Sequence, residues 1–213
     1  MPLDVLVLLL SWLLKYKNLP VKWLSLNMPN KATLRKQYRS KRQALSSKEL
    51  ATASAQILKQ VIAQNLVTDG LLMLYFDSPL HGELPMHNWF KHFENHPICV
   101  PKVVDVNGHM EAVLWTKETP LMPNEWGILE PKSNAFVPPK NIETIIVPLL
   151  CFDHHGHRVG YGKGYYDRFL ARCNSNVKTI GVSAFYAVNA IEDVTAEDYA
   201  LTMAITPKKV YLF

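Results

Sequence analysis

A chain of 213 residues, 48% hydrophobic and only 19% charged, carries enough apolar side chain for a full core, which excludes a disordered scaffold; no period of 20 to 50 residues recurs, which excludes a solenoid or propeller. The net charge of +5 asks for an anionic partner without choosing between nucleic acid and an anionic small molecule. Cys99, Cys151 and Cys173 are an odd number, widely spaced and without a C-x-x-C pair, so neither a disulfide framework nor a zinc ribbon is encoded and a reducing, cytoplasmic setting fits.

The chain begins with LDVLVLLLSWLL at 3–14, an apolar run broken by Asp4 and Ser11 and well short of the roughly 20 residues that span a bilayer. Lys15, Lys17 and Lys22 follow this run, the reverse of a secretory signal, so no stable membrane insertion is expected. Residues 1–27 read as an N-terminal extension, with Met28 as a candidate start; a surface helix and a targeting segment are the other readings. The globular pattern begins at Asn30, and 28–213 is taken as one α/β domain.

KATLRKQYRSKRQA at 31–44 predicts a basic helix in which Arg39 and Arg42 read as part of a solvated face. Ser46 followed by Glu49 is a capping box opening a second helix, with Leu50, Ile57, Leu58, Val61, Ile62 and Leu66 as its core-facing stripe. LLMLYF at 71–76 is a continuous apolar run that predicts a buried strand, followed by a loop from Asp77 to Glu83. PMHNWFKHFEN at 85–95 is helical in pattern, ICVPKVV at 98–104 reads as a strand, and Asn107-Gly108 signals a hairpin turn into HMEAVLWT at 109–116. TIIVPLLCF at 144–152 and KTIGVSAF at 178–185 are further buried strands, separated by a helix at about 165–173. Strand, helix, strand order predicts a mostly parallel, Rossmann-like sheet covered by helices on both faces, with ligands at the carboxyl ends of its strands.

Between the last two strands lies FDHHGHRVGYGKGYYD, 152–167. Gly160, Gly162 and Gly164 leave a backbone able to approach a ligand and turn its N–H groups inward, and Arg158 and Lys163 add full charges for the same anion. A phosphate cradle is one reading; a tight connection with a solvated lysine is the other. The glycine spacing is neither the Walker pattern nor G-x-G-x-x-G. Asp167, in the first turn of the next helix, suits either capping or a metal ion beside phosphate. His154, His155 and His157 cluster around Gly156 and read as a solvated hairpin tip rather than a metal site. Neither G-x-S-x-G nor a Cys-His arrangement offers a covalent nucleophile.

The run GYGKGYYDRFL, preceded by VPLLCFDHHGHRVG, resembles the signature of the 5-formyltetrahydrofolate cyclo-ligase (5,10-methenyltetrahydrofolate synthetase) family. Lys31 and Leu34-Arg35, Gly82-Glu83-Leu84, Gly127 to Pro131, Asp198 and Ile205-Thr206-Pro207 agree with it in order. The resemblance implies ATP-dependent cyclisation of 5-formyltetrahydrofolate to 5,10-methenyltetrahydrofolate, releasing ADP and phosphate, by a monomer that needs Mg2+. It assigns ATP to Lys31, Arg35 and the loop Arg158, Val159, Gly160, Tyr161, Gly162, Lys163, Gly164, Tyr165 and Tyr166. It assigns magnesium to Asp167 and Asp198, the folate to Glu83 and Tyr165, and catalysis to Lys163, Arg158 and Tyr165.

Two departures stand out: Tyr161 occupies a place where some members carry arginine, and the stretch from Phe76 to Glu83 is longer than the family pattern. An isomerase or transferase acting on a phosphorylated sugar or thioester would need an acid-base pair or a nucleophile that the motif region lacks. A nucleic-acid contact through Lys31 to Arg42 would want aromatic interleaving, and only Tyr38 is there, so no nucleic-acid partner is expected.

Overall fold

The computed structural model describes residues 28–105, 109–125 and 127–213; the apolar run at 3–14 and the Asn107-Gly108 turn lie outside them. The Asn30 side chain accepts the Thr33 N–H at 2.9 Å and opens helix α1, Lys31–Gln43. Ser46 and Glu49 form the capping box in both directions, starting α2, Ser47–Ala63. The α2 stripe holds at Leu50, Ile57, Leu58 and Val61, but Ile62 is 44% exposed and Leu66 lies beyond the helix end. Ile62 follows buried Val61 by one residue, about 100° further round the helix, which turns it off the face that meets the sheet.

The main sheet has eight strands in the order β12-β11-β10-β7-β1-β2-β3-β6. Its parallel centre is β11 (Met203–Ile205), β10 (Lys178–Val182), β7 (Ile142–Pro148), β1 (Leu71–Met73) and β2 (Ile98–Val103). The edges turn antiparallel through β12 (Val210–Leu212), β3 (Met110–Trp115) and β6 (Phe136–Val137). In β7 the side chains alternate between two buried faces. Ile146 joins the cluster with Ile57 and Leu58 of α2 and Trp89 of α3 (His87–His92). Ile145 and Val147 join the cluster with Phe169 and Leu170 of α4 (Tyr165–Leu170). Burial on both sides explains why the central strands read as continuous apolar runs, and each fully buried Ile or Leu contributes about 1.5–3 kcal/mol. Among the described residues no helix is long and apolar enough to cross a membrane.

Three predicted strands are shorter than their apolar runs, KTIGVSAF among them, since β10 ends at Val182. In LLMLYF the ladder ends after Leu74, whose N–H reaches Cys99 O at 3.0 Å, and the chain peels away towards Asp77. TIIVPLLCF splits at Pro148, which has no N–H to continue a central ladder. The chain then leaves the sheet, and β8 (Cys151–Phe152) pairs with β9 (Arg158–Val159) as a separate hairpin. That departure carries the glycine loop over the carboxyl ends of the parallel strands. A second small hairpin, β4 (Leu121–Pro123) with β5 (Leu129–Pro131), supplies part of the opposite wall.

Candidate active site

A cavity of about 460 Å³ opens at this end of the sheet, lined by α1, the loop after β1, the β4–β5 hairpin and the glycine loop. Asp153 builds the hairpin that presents the loop. It is 1% exposed, and its carboxylate accepts the N–H groups of His155, His157 and Ile191 at 2.9, 3.0 and 3.2 Å. The histidine cluster is therefore the tip that Asp153 ties down, with His157 Nδ1 3.3 Å from its second oxygen.

The three loop glycines have different reasons. Gly162 and Gly164 sit at φ +99° and +67°, and added Cβ atoms would meet the Arg35 and Arg168 guanidinium groups at 3.2 and 2.8 Å. Gly160 has open space and instead offers its carbonyl to Arg35 Nε at 3.0 Å. Arg39 Nη2 reaches Tyr161 O at 3.3 Å, so α1 braces the loop through its carbonyls. Among the described residues the N–H groups of Tyr161, Gly162 and Lys163 have no partner, leaving donors for an anion.

Two ion pairs stand beside these donors. Lys31 Nζ is bonded to Asp198 Oδ2, which also accepts the Thr195 N–H at 2.7 Å. Burial pushes the Asp198 carboxyl up, but the bond from Lys31 and those from Thr195 outweigh it and hold the group below its ordinary value. Arg158 Nη2 lies 2.7 Å from Asp167 Oδ1. Burial lowers the Arg158 guanidinium while Asp167 raises it, and Nη1 is bonded to Tyr199 O. In both carboxylates the bonds converge on one oxygen, and among the described residues the second, Asp167 Oδ2 or Asp198 Oδ1, is without a partner. Two hard oxygen donors beside unpartnered N–H groups are a donor set that would fit magnesium, an ion that completes its shell with phosphate oxygens and water.

At the other end Glu83 is 7% exposed, and burial raises its carboxyl against the lowering by the Tyr161 hydroxyl. Its Oε1 accepts from the Tyr161 hydroxyl at 2.6 Å and Oε2 from the Ser78 N–H at 2.8 Å. Arg42, expected on the solvated face, is 5% exposed, with Nη1 2.5 Å from the Tyr161 hydroxyl oxygen and Nη2 bonded to Leu149 O. The basic spacing of α1 is silent about the side pressed against the loop, which decides this burial.

Lys31, Arg35, Glu83, Arg158, Gly160 through Tyr166, Asp167 and Asp198 all line the cavity. Val159 does not: its side chain is 1% exposed in a core cluster with Leu34 and Leu150, because β9 alternation turns it away from Arg158. Tyr166 has its hydroxyl buried and unbonded. Sequence reasoning missed Arg39, Phe76, His81 and Glu130 on the wall. For Glu130 the matched Gly127 to Pro131 segment was the signal; its Oε1 accepts from Val103 N at 3.1 Å and Asn124 Nδ2 at 2.9 Å, pinning the β4–β5 hairpin. Burial lifts the thiols of Cys99 and Cys151 to about 12 and of Cys173 to about 11, so none is a ready nucleophile.

Residues 27–207 match the model of the 5-formyltetrahydrofolate cyclo-ligase family. The 5-formyltetrahydrofolate cyclo-ligase of Mus musculus is 31% identical over 154 residues, covering 67% of this chain and 74% of its own. That of Haemophilus influenzae is 26% identical, covering 73% and 83%. The Aquifex aeolicus 5,10-methenyltetrahydrofolate synthetase, solved by NMR, superposes with a TM-score of 0.72 at 27% identity, over 85% of this chain and 92% of that one. With the match running through the glycine loop, both acidic positions and Glu83, this chain belongs to the 5-formyltetrahydrofolate cyclo-ligase family of enzymes.

Proposed function

We propose that this protein closes 5-formyltetrahydrofolate to 5,10-methenyltetrahydrofolate with ATP as co-substrate and magnesium as its ion. The observation that carries the reading is one cavity walled at one end by loop donors, cations and two carboxylates, and at the other by buried Glu83.

The formyl group on N5 is an amide, so its carbon is a weak electrophile and its oxygen a poor leaving group. The formyl oxygen attacks the γ-phosphorus of ATP, the bond to the bridging oxygen breaks, and ADP leaves. The carbon now carries a phosphate ester and iminium character. The N10 lone pair forms the new C–N bond, the N10 proton is lost, and the C–O bond breaks with its electrons on departing phosphate.

Such a transfer needs positioning and charge neutralisation more than covalent help. The loop N–H groups, Lys163, Arg35 and Lys31 receive the triphosphate oxygens, and Arg158 fixes Asp167. Asp167 and Asp198 would hold magnesium, which when bound neutralises charge building on the phosphates. Tyr165 lines the same cavity, and in this reading it meets both the nucleotide and the folate. The unpaired, widely spaced cysteines fit a reducing cytoplasm, and we take the enzyme to act as a monomer.

The test is absorbance in the methenyltetrahydrofolate band with purified protein, 5-formyltetrahydrofolate and magnesium, with and without ATP. A rise only with ATP supports the function. No rise from folded protein sinks it.

A further inference from the structure

Arg42 in α1, Tyr161 in the glycine loop and Glu83 after β1 come from three separate stretches and meet at one oxygen atom. Arginine carries only donors, so the Tyr161 hydroxyl must accept from Arg42 Nη1, at 2.5 Å. Its own proton is then committed to Glu83 Oε1, at 2.6 Å. Glu83 thus has a donor on each oxygen, since Oε2 takes the Ser78 N–H at 2.8 Å. A carboxylate fixed in this way stays an acceptor and offers its remaining lone pairs to N–H groups of a ligand.

Arg42 and Glu83 are both almost fully buried. A salt bridge of their own would leave the loop out, whereas the interposed phenol makes the substrate carboxylate depend on where the loop sits.

We propose that Tyr161 is a positioning residue, tying the phosphate-binding loop to Glu83 and holding that carboxylate as the acceptor that receives the folate. The proposal rests on the function given above and names the link between its two ends. It also gives a use to the tyrosine at the place where some family members carry arginine: the side chain is directed at Glu83 rather than at phosphate. The groups around Glu83 are Arg42 from α1, His81 from the turn before it, Tyr75 two residues past β1, Tyr161 from the loop and Tyr166 from α4. His81 is the one imidazole among them, so His81→Gln serves as the control for pH effects.

The experiment compares wild type with Tyr161→Phe, which removes one oxygen and keeps the ring that packs on His81 at 5.4 Å between centroids. The KM for 5-formyltetrahydrofolate should rise about tenfold, as for loss of a hydrogen bond to a charged group, with the KM for ATP within about twofold. The acid limb of kcat/KM for the folate should move to higher pH in Tyr161→Phe and stay there in the His81→Gln background. In a Glu83→Gln background, Tyr161→Phe should change the folate KM by less than about twofold. Should Tyr161→Phe fail to fold, Tyr161→3,5-difluorotyrosine keeps the hydroxyl as a stronger donor and should move the acid limb to lower pH. Unaltered folate constants, a change confined to ATP, or full additivity with Glu83→Gln would overturn the assignment. A wild type with no ATP-dependent product would instead remove the function and this link together.

Discussion

Arg158 Nη2 lies 2.7 Å from Asp167 Oδ1, and the arginine side chain is 5% exposed while the carboxylate is 31% exposed. The arginine is spent on holding the carboxylate, and its charge is largely offset by Asp167. Asp167→Asn keeps the shape, removes the charge, and leaves a buried guanidinium without its counter-ion. Turnover should fall at least about tenfold with a weaker magnesium dependence. Stability should fall by roughly 2–3 kcal/mol, less than for a fully buried pair because the carboxylate is part-solvated. Magnesium titrations of activity alongside denaturant melts measure both, and an unchanged magnesium midpoint would remove Asp167 from the site.

Lys163 makes a cleaner case. It sits at the exposed tip of the loop, and the local bond to its backbone, from Arg168 Nη2 to its carbonyl at 2.7 Å, survives a side-chain change. Lys163→Ala should therefore cut kcat at least about tenfold while stability moves by no more than about 0.5 kcal/mol. Steady-state rates and melting curves on the same preparation decide it; equal rates would return the lysine to a solvated role.

The loop side of the cavity was legible in the sequence because its residues are local: glycines at alternate positions, two cations and Asp167 fall within one short segment. Its other end was not. Arg42 looks like any lysine or arginine on a basic helix, and only the fold presses it against Leu149 and Tyr161. Tyr161 read only as a departure from arginine because its partner, Glu83, is 78 residues away. The strands show the same division. The apolar runs located β1, β7 and β10, but where each ladder stops depends on neighbours, as at Leu74, or on Pro148, whose missing N–H turned one predicted strand into two elements.

Glu83 carries a pH signature. Burial raises its carboxyl above the ordinary 4.5, so the folded state holds its proton to higher pH than the unfolded chain does. Stability linked to this group is therefore greater below that window and falls as pH rises through it. In the proposed function folate binding needs the ionised form and runs the other way. The acid limb of kcat/KM for the folate should lie above 4.5, and Glu83→Gln should abolish the limb while raising the folate KM. Denaturation of Glu83→Gln from pH 4 to 7 should show a flatter pH dependence than wild type. A limb that persists in Glu83→Gln would assign it to another group.

Lys31 and Asp198 invert that sign. Their ion pair joins the first turn of α1 to the loop before β11, with both side chains 18% exposed. Against the upward push of burial, the bonds from Lys31 and Thr195 hold the Asp198 carboxyl below its ordinary 3.8. The pair's contribution is thus present above 3.8 and is lost as pH falls through the depressed value. Lys31→Ala should be less stable than wild type at pH 7, with the gap closing at a pH below 3.8. The same substitution removes a cation from the cavity wall, at the place proposed for the triphosphate, while leaving Glu83 and Tyr161 untouched. The KM for ATP should accordingly rise about tenfold, with the folate KM within about twofold. Denaturant titrations at the two pH values, together with separate KM determinations, test both halves. A stability gap that does not depend on pH would mean that Lys31 contributes packing rather than charge.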